Sequence, residues 1–79
     1  MAAKAFVLIE TKVGKTREAY SALEKLEAIK SIDVVTGPYD IIAMVEGDDM
    51  STIGNLVTSK MHIIPSIRRT ITCLSIRLS

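Results

Sequence analysis

Two short stretches of the chain carry no polar residue at any position: Ala5-Phe6-Val7-Leu8-Ile9 and Ile41-Ile42-Ala43-Met44-Val45. Along a β-strand, successive side chains point to opposite faces. In the first run Ala5, Val7 and Ile9 therefore face one way, and Phe6 and Leu8 the other. In the second, Ile41, Ala43 and Val45 oppose Ile42 and Met44. Short runs of this kind predict strands kept from water on both faces. Any fold for this chain must cover both sides of the sheet that holds them.

The rest of the chain supplies cover for only one side. Val13-Gly14 breaks the first strand, and Gly14 is a plausible helix start. Over residues 15–30, Ala19, Ala22, Leu23, Leu26 and Ile29 recur at spacings of three and four, which predicts an amphipathic helix. Arg17, Glu18, Glu24, Lys25 and Glu27 fall mostly off that stripe, and neither Gly nor Pro interrupts it. Residues 31–36, with Ile32, Val34 and Val35, predict a second strand. Gly37-Pro38 ends it, because proline locks φ and donates no backbone hydrogen bond. The third strand, residues 40–46, follows so closely that the pair forms an antiparallel hairpin.

Gly47-Asp48-Asp49 marks a second break, with Asp48 or Asp49 able to cap a helix. Met50, Ile53, Leu56, Val57 and Met61 form its apolar stripe. Gly54 either weakens that helix by about 1 kcal/mol relative to Ala or admits a close neighbour. Pro65 requires the helix to end before Ile64. Residues 67–78 predict a longer and more polar last strand.

The order is βαββαβ. Right-handed crossovers make the economical fold α+β and ferredoxin-like: a four-stranded antiparallel sheet with two helices on one face. One domain spans residues 1–79. The uncovered face explains the composition, which is 48% hydrophobic with a mean hydropathy of +0.32. A chain this short buries only about 60% of its unfolded surface. An exposed apolar sheet face would also invite aggregation. A second copy laid sheet against sheet satisfies both conditions, so a homodimer is expected, most simply with twofold symmetry.

Several function classes are disfavoured. The net charge is +1, and the three aromatics, Phe6, Tyr20 and Tyr39, form no basic-aromatic stripe for stacking bases. No apolar run approaches the ~20 residues that span a bilayer, and the first residues lack a secretory pattern. The single cysteine, Cys73, excludes an intramolecular disulfide and suits a cytoplasmic compartment. Mid-strand, it reads as a small buried apolar group.

No catalytic or metal-binding signature is present, and no cofactor is implied. His62 has no partner at ligand spacing and reads as a loop or helix-end residue. Asp48-Asp49 is most simply a helix cap. Arg68 and Arg69 are consecutive strand residues, which face opposite ways and form no patch. No phosphate-binding glycine loop occurs.

The stretch left to consider is Thr36-Gly37-Pro38-Tyr39-Asp40. A zwitterionic amino acid needs donors for its carboxylate, an acceptor for its ammonium and a pocket for its side chain. A tight turn exposes amides as an anion-binding concavity; amides near Gly37 and Tyr39 would be the donors, and Asp40 the acceptor. Ordinary turn chemistry accounts for the same residues.

Thr36-Gly37-Pro38-Tyr39-Asp40-Ile41 is followed by Glu46-Gly47-Asp48-Asp49, Ile64-Pro65-Ser66-Ile67 and Thr70-Ile71-Thr72. In this order the motifs resemble the effector domain, called RAM, of the Lrp/AsnC family of feast/famine transcription regulators, over essentially the whole chain. The resemblance implies dimers that pair through their sheets and assemble into octamers or decamers. It also implies an amino acid bound at the junction between dimers, near the hairpin turn and last strand. By position it nominates Gly37, Pro38, Tyr39 and Asp40, with Thr70 and Thr72 as polar contacts and Ile32 and Val34 as walls. Pro38 stands where an acidic residue is frequent and removes one amide donor. Family members carry a helix-turn-helix domain for which this chain has no room. A stand-alone effector domain is therefore expected, one that does not itself bind DNA and that senses an amino acid or acts with full-length regulators. The Ile- and Val-rich surroundings point to an aliphatic ligand. Two other readings are a dimeric α/β-barrel enzyme, for which the helix stripes offer few polar groups, and a purely structural oligomerisation module.

Overall fold

The apolar runs become the two central strands of one sheet. In the computed structural model, which describes residues 2–78, the elements are β1 (Ala3–Thr11), α1 (Thr16–Leu23), β2 (Ile29–Val34), β3 (Ile41–Gly47), α2 (Met50–Leu56) and β4 (Ile67–Leu74). A π-helical turn, Val57–Met61, continues α2. Met1 and Ser79, the ends of the expected 1–79 domain, lie outside the described residues. The strand order is β2-β3-β1-β4 with every neighbouring pair antiparallel. This is the ferredoxin-like α+β arrangement that the element order requires.

Register separates the two faces. Ala5 pairs with Val45, Val7 with Ala43 and Ile9 with Ile41, and all six are fully buried. Ala19 and Leu23 of α1 and Ile53, Val57 and Met61 from α2 and its extension complete the same core cluster. Both helices therefore lie on one face. On the other, Phe6 stands between Met44 and Cys73, and Leu8 between Ile42 and Ile71. Phe6 and Ile71 are each 40% exposed, and the Lys4 ammonium sits 5.8 Å over the Phe6 ring. Cys73 is exposed rather than buried, because it belongs to this uncovered face.

Several boundaries differ from the periodicity. The first helix stops at Leu23, not Lys30. Tight turns follow, with the Leu26 amide donating to the Leu23 carbonyl at 3.0 Å and the Ile29 amide to the Leu26 carbonyl at 3.1 Å. Ile29 leaves the helical stripe and pairs with Val45; the growing ladder outcompetes local helix propensity. β2 accordingly begins two residues before the expected 31 and ends at Val34. β4 stops at Leu74, since β1 begins at Ala3 and offers little further edge. Only the Ser75 amide, donating to Lys4 at 2.9 Å, extends the pairing.

The helix starts divide between the two expectations. Asp49 caps α2, accepting the Thr52 amide at 2.8 Å and its hydroxyl at 2.9 Å. These bonds, the amide first, hold its carboxyl below the ordinary value of 3.8. Gly14 lies in the turn before α1, at φ +75°, and Lys15 takes the cap position without a side-chain bond. Gly54 has open space where a Cβ would sit, so no neighbour packs on it.

Candidate functional site

The hairpin turn is anchored rather than loose. The Val35 amide donates to the Asp40 carbonyl at 2.8 Å and closes the loop, and the Asp40 amide donates to the Ile9 carbonyl at 2.9 Å. Gly37 has φ +108°, a conformation that L side chains rarely adopt. Asp40 Oδ2 accepts the Thr11 amide at 2.8 Å and the Thr11 hydroxyl at 3.1 Å. The Thr11 and Thr16 hydroxyls lie 2.8 Å apart. One hydrogen-bonded chain thus ties the turn to the end of β1 and the start of α1.

This anchoring changes which groups of the turn can meet a ligand. The Val35 and Asp40 amides are occupied and Pro38 has none. The amides of Gly37 and Tyr39 have no protein partner among the described residues. Asp40 retains its second oxygen, Oδ1. Gly37 and Pro38 are exposed, while Tyr39 and Asp40 are half-buried.

Beside the turn, Val34 joins Gly14, Thr16, Arg17 and Tyr20 around a cleft of about 470 Å³. It offers a guanidinium, two hydroxyls and an apolar wall. Of these five, only Val34 is among the residues that the sequence motifs nominate. Arg17 and Tyr20 looked like ordinary helix positions, and no motif spacing marks them. They matter because the end of β2 abuts the first turn of α1.

The remaining nominated residues divide between the edges of the sheet. Ile32 pairs with Ala43 and Val34 with Ile41, which places both on the helix-bearing face of edge strand β2. Ile32 packs on the core. Thr70 pairs with Ile9 and Thr72 with Val7, on the same face of the opposite edge, β4. Thr70 is half-buried and Thr72 exposed. Two strands intervene, so the groups stand roughly 14 Å apart, three strand spacings. A single chain does not bring them to one ligand.

A second cleft, of about 340 Å³, lies on the β4 side and is lined by His62, Ile67, Arg68, Arg69 and Thr70. Here the expectation that Arg68 and Arg69 form no patch is overturned. A register shift pairs Thr11 with Ile67 but Glu10 with Arg69. Arg68 is thereby the extra residue of a β-bulge, where strict alternation lapses. Arg69 Nε also pairs with Glu10 Oε1 at 3.2 Å. Among the described residues no group of three metal-ligating side chains forms, and no helix is long and apolar enough to cross a membrane.

The family model of the Lrp/AsnC ligand-binding domain matches residues 4–78. No curated protein matches the chain. Among solved structures, TTHA0845 from Thermus thermophilus is 30% identical with a TM-score of 0.90, the match covering 98% of this chain and 96% of that one. The hypothetical protein PHS023 from Pyrococcus horikoshii is 35% identical with a TM-score of 0.86, covering 99% and 93%. The transcriptional regulator NMB0573 from Neisseria meningitidis, solved as a complex with L-Met, is 16% identical with a TM-score of 0.86. The match covers 95% of this chain and 50% of the regulator, a likeness of fold.

Proposed function

The chain belongs to the Lrp/AsnC ligand-binding domain family, and we propose that it binds a free amino acid beside its hairpin turn and assembles through its uncovered sheet face. The observation that supports this reading is the cleft of Thr16, Arg17, Tyr20 and Val34 beside a hairpin turn whose Gly37 and Tyr39 amides have no protein partner among the described residues. The Gly37 and Tyr39 amides and the Arg17 guanidinium suit a carboxylate. Asp40 Oδ1 suits an ammonium. Val34 and Ile32 offer an apolar wall, which favours an aliphatic side chain. The L-Met complex of the fold-related Neisseria regulator is consistent with that ligand class.

Thr70 and Thr72 occupy the sheet edge opposite Ile32 and Val34, so another copy of the chain would bring all four to one ligand. That requirement fits a ligand held at a junction between dimers, within an octamer or decamer. The dimer itself buries Phe6, Leu8, Ile42, Met44 and Ile71. In this reading the protein is a cytoplasmic sensor that reports an amino acid to full-length regulators.

Calorimetric and thermal-shift titrations with all twenty amino acids test the proposal. A ligand that binds the native form raises its melting temperature by mass action. An aliphatic amino acid should do so, and Arg17→Ala should weaken the effect. A flat response to all twenty overturns the sensor, and with the oligomer intact it leaves an assembly module.

A further inference from the structure

On the β4 side of the sheet two backbone irregularities converge on one cleft. The first is the π-turn after α2, in which the His62 amide donates to the Val57 carbonyl at 2.9 Å. Such turns recur at functional sites. Here the turn delivers His62 to β4, with ring Nε2 3.1 Å from Thr70 Oγ1. The second is the bulge at Arg68, a device that re-aims side chains. His62 and Arg68 are both exposed, so neither irregularity serves to bury its own side chain.

The result is a concavity with two guanidinium groups, an imidazole, a hydroxyl and an apolar patch at Ile67. The acidic group paired with this cluster is Glu10, on Arg69 Nε. Arg68 takes part in no ion pair among the described residues. We propose that this cleft is a binding site for a small oxyanion, the carboxylate or phosphate group of a free metabolite, centred on Arg68 and His62 and meeting the amino-acid site only at Thr70.

Guanidinium forks match the paired oxygens of both groups. The imidazole and the Thr70 hydroxyl can meet the remaining lone pairs. Glu10 is a built-in competitor, because its carboxylate holds Arg69 Nε and offsets the charge that an anion would meet. The site is exposed, so its affinity falls with added salt. Thr70 is the one residue it shares with the effector site, and the inference does not depend on that reading.

The test is an NMR titration of the labelled protein at constant ionic strength, with inorganic phosphate in one arm and acetate in the other. Saturable shifts at the Arg68 side chain, the His62 ring and Thr70 are expected in at least one arm. The arm that saturates at lower concentration identifies the source as phosphate or carboxylate. Arg68→Ala should weaken that binding about tenfold, the loss of one charge-assisted contact. Glu10→Gln should strengthen it by removing the carboxylate that offsets Arg69. Linear shifts in both arms overturn the proposal, as do saturable shifts that Arg68→Ala leaves unchanged. Saturation here with a flat response to amino acids would remove the effector reading and leave this one standing.

Discussion

Asp40 grips Thr11 from two directions, its Oδ2 accepting the backbone amide at 2.8 Å and the side-chain hydroxyl at 3.1 Å. Thr11 is buried, at 7% exposure, so its amide has no easy recourse to water. Asp40→Ala should therefore destabilise the protein by about 2–3 kcal/mol, the cost of a lost charged acceptor and an orphaned donor. Thr11→Val keeps the amide bond and loses only the hydroxyl bonds, so it should cost about 1 kcal/mol. Urea denaturation of both variants checks the order. Equal losses would show that the carboxylate does not anchor the turn.

Two glycines should respond to alanine with opposite signs. Gly37 has φ +108°, so Gly37→Ala should cost about 1–3 kcal/mol in backbone strain. Gly54 lies in α2 with open space around its missing Cβ. Gly54→Ala should stabilise by about 0.5–1 kcal/mol. Thermal melts of the two variants decide, and a destabilising Gly54→Ala would reveal a neighbour that packs there in the assembly.

The Asp49 cap carries a pH signature. Its carboxyl is held below 3.8 in the folded chain by the Thr52 amide and hydroxyl. A depressed folded value means that the stabilisation is complete above the unfolded value and is lost as pH falls through the folded one. Asp49→Ala should lower the melting temperature at neutral pH. The difference from the parent should shrink as the pH drops below about 3.8. A gap that stays constant into acid would mean that the charged cap contributes nothing.

Neighbouring residues on β1 should separate folding from assembly. Val7 is fully buried beneath the helices, so Val7→Glu should abolish folding by burying an unpaired charge. Leu8 lies on the other face, between Ile42 and Ile71. Leu8→Glu should preserve helical circular dichroism and shift the sedimentation species from dimer or larger to monomer. A Leu8→Glu protein that stays oligomeric would place the interface elsewhere.

Much of this molecule was legible as pattern. The unbroken apolar runs around Val7 and Ala43 mark central strands, because they are short and rich in β-branched residues, which suits a strand buried on both faces. Asp49 announces a cap and Pro65 a helix limit, each through local chemistry. Ile29 misled, because its spacing from Leu26 suits a helix while its partner in the fold, Val45, lies far along the chain. Cys73 misled for a related reason, since mid-strand position does not say which face a helix will cover.

The site was less legible, and the reason is geometric. Gly37 and Asp40 are neighbours in sequence, so a turn motif could nominate them. Arg17 and Tyr20 share a cleft with Val34 only because β2 ends against α1. Arg68 and Arg69 share a cleft only because a bulge suspends the alternation that sequence reasoning assumes. Periodicity and composition were enough to specify the order of elements and an apolar face beyond the reach of two helices, since both follow from residue-by-residue burial. Which polar groups meet, and that Ile32 and Thr72 stand on opposite edges, was decided by strand order and register. These are set by contacts between distant segments, which no local pattern records.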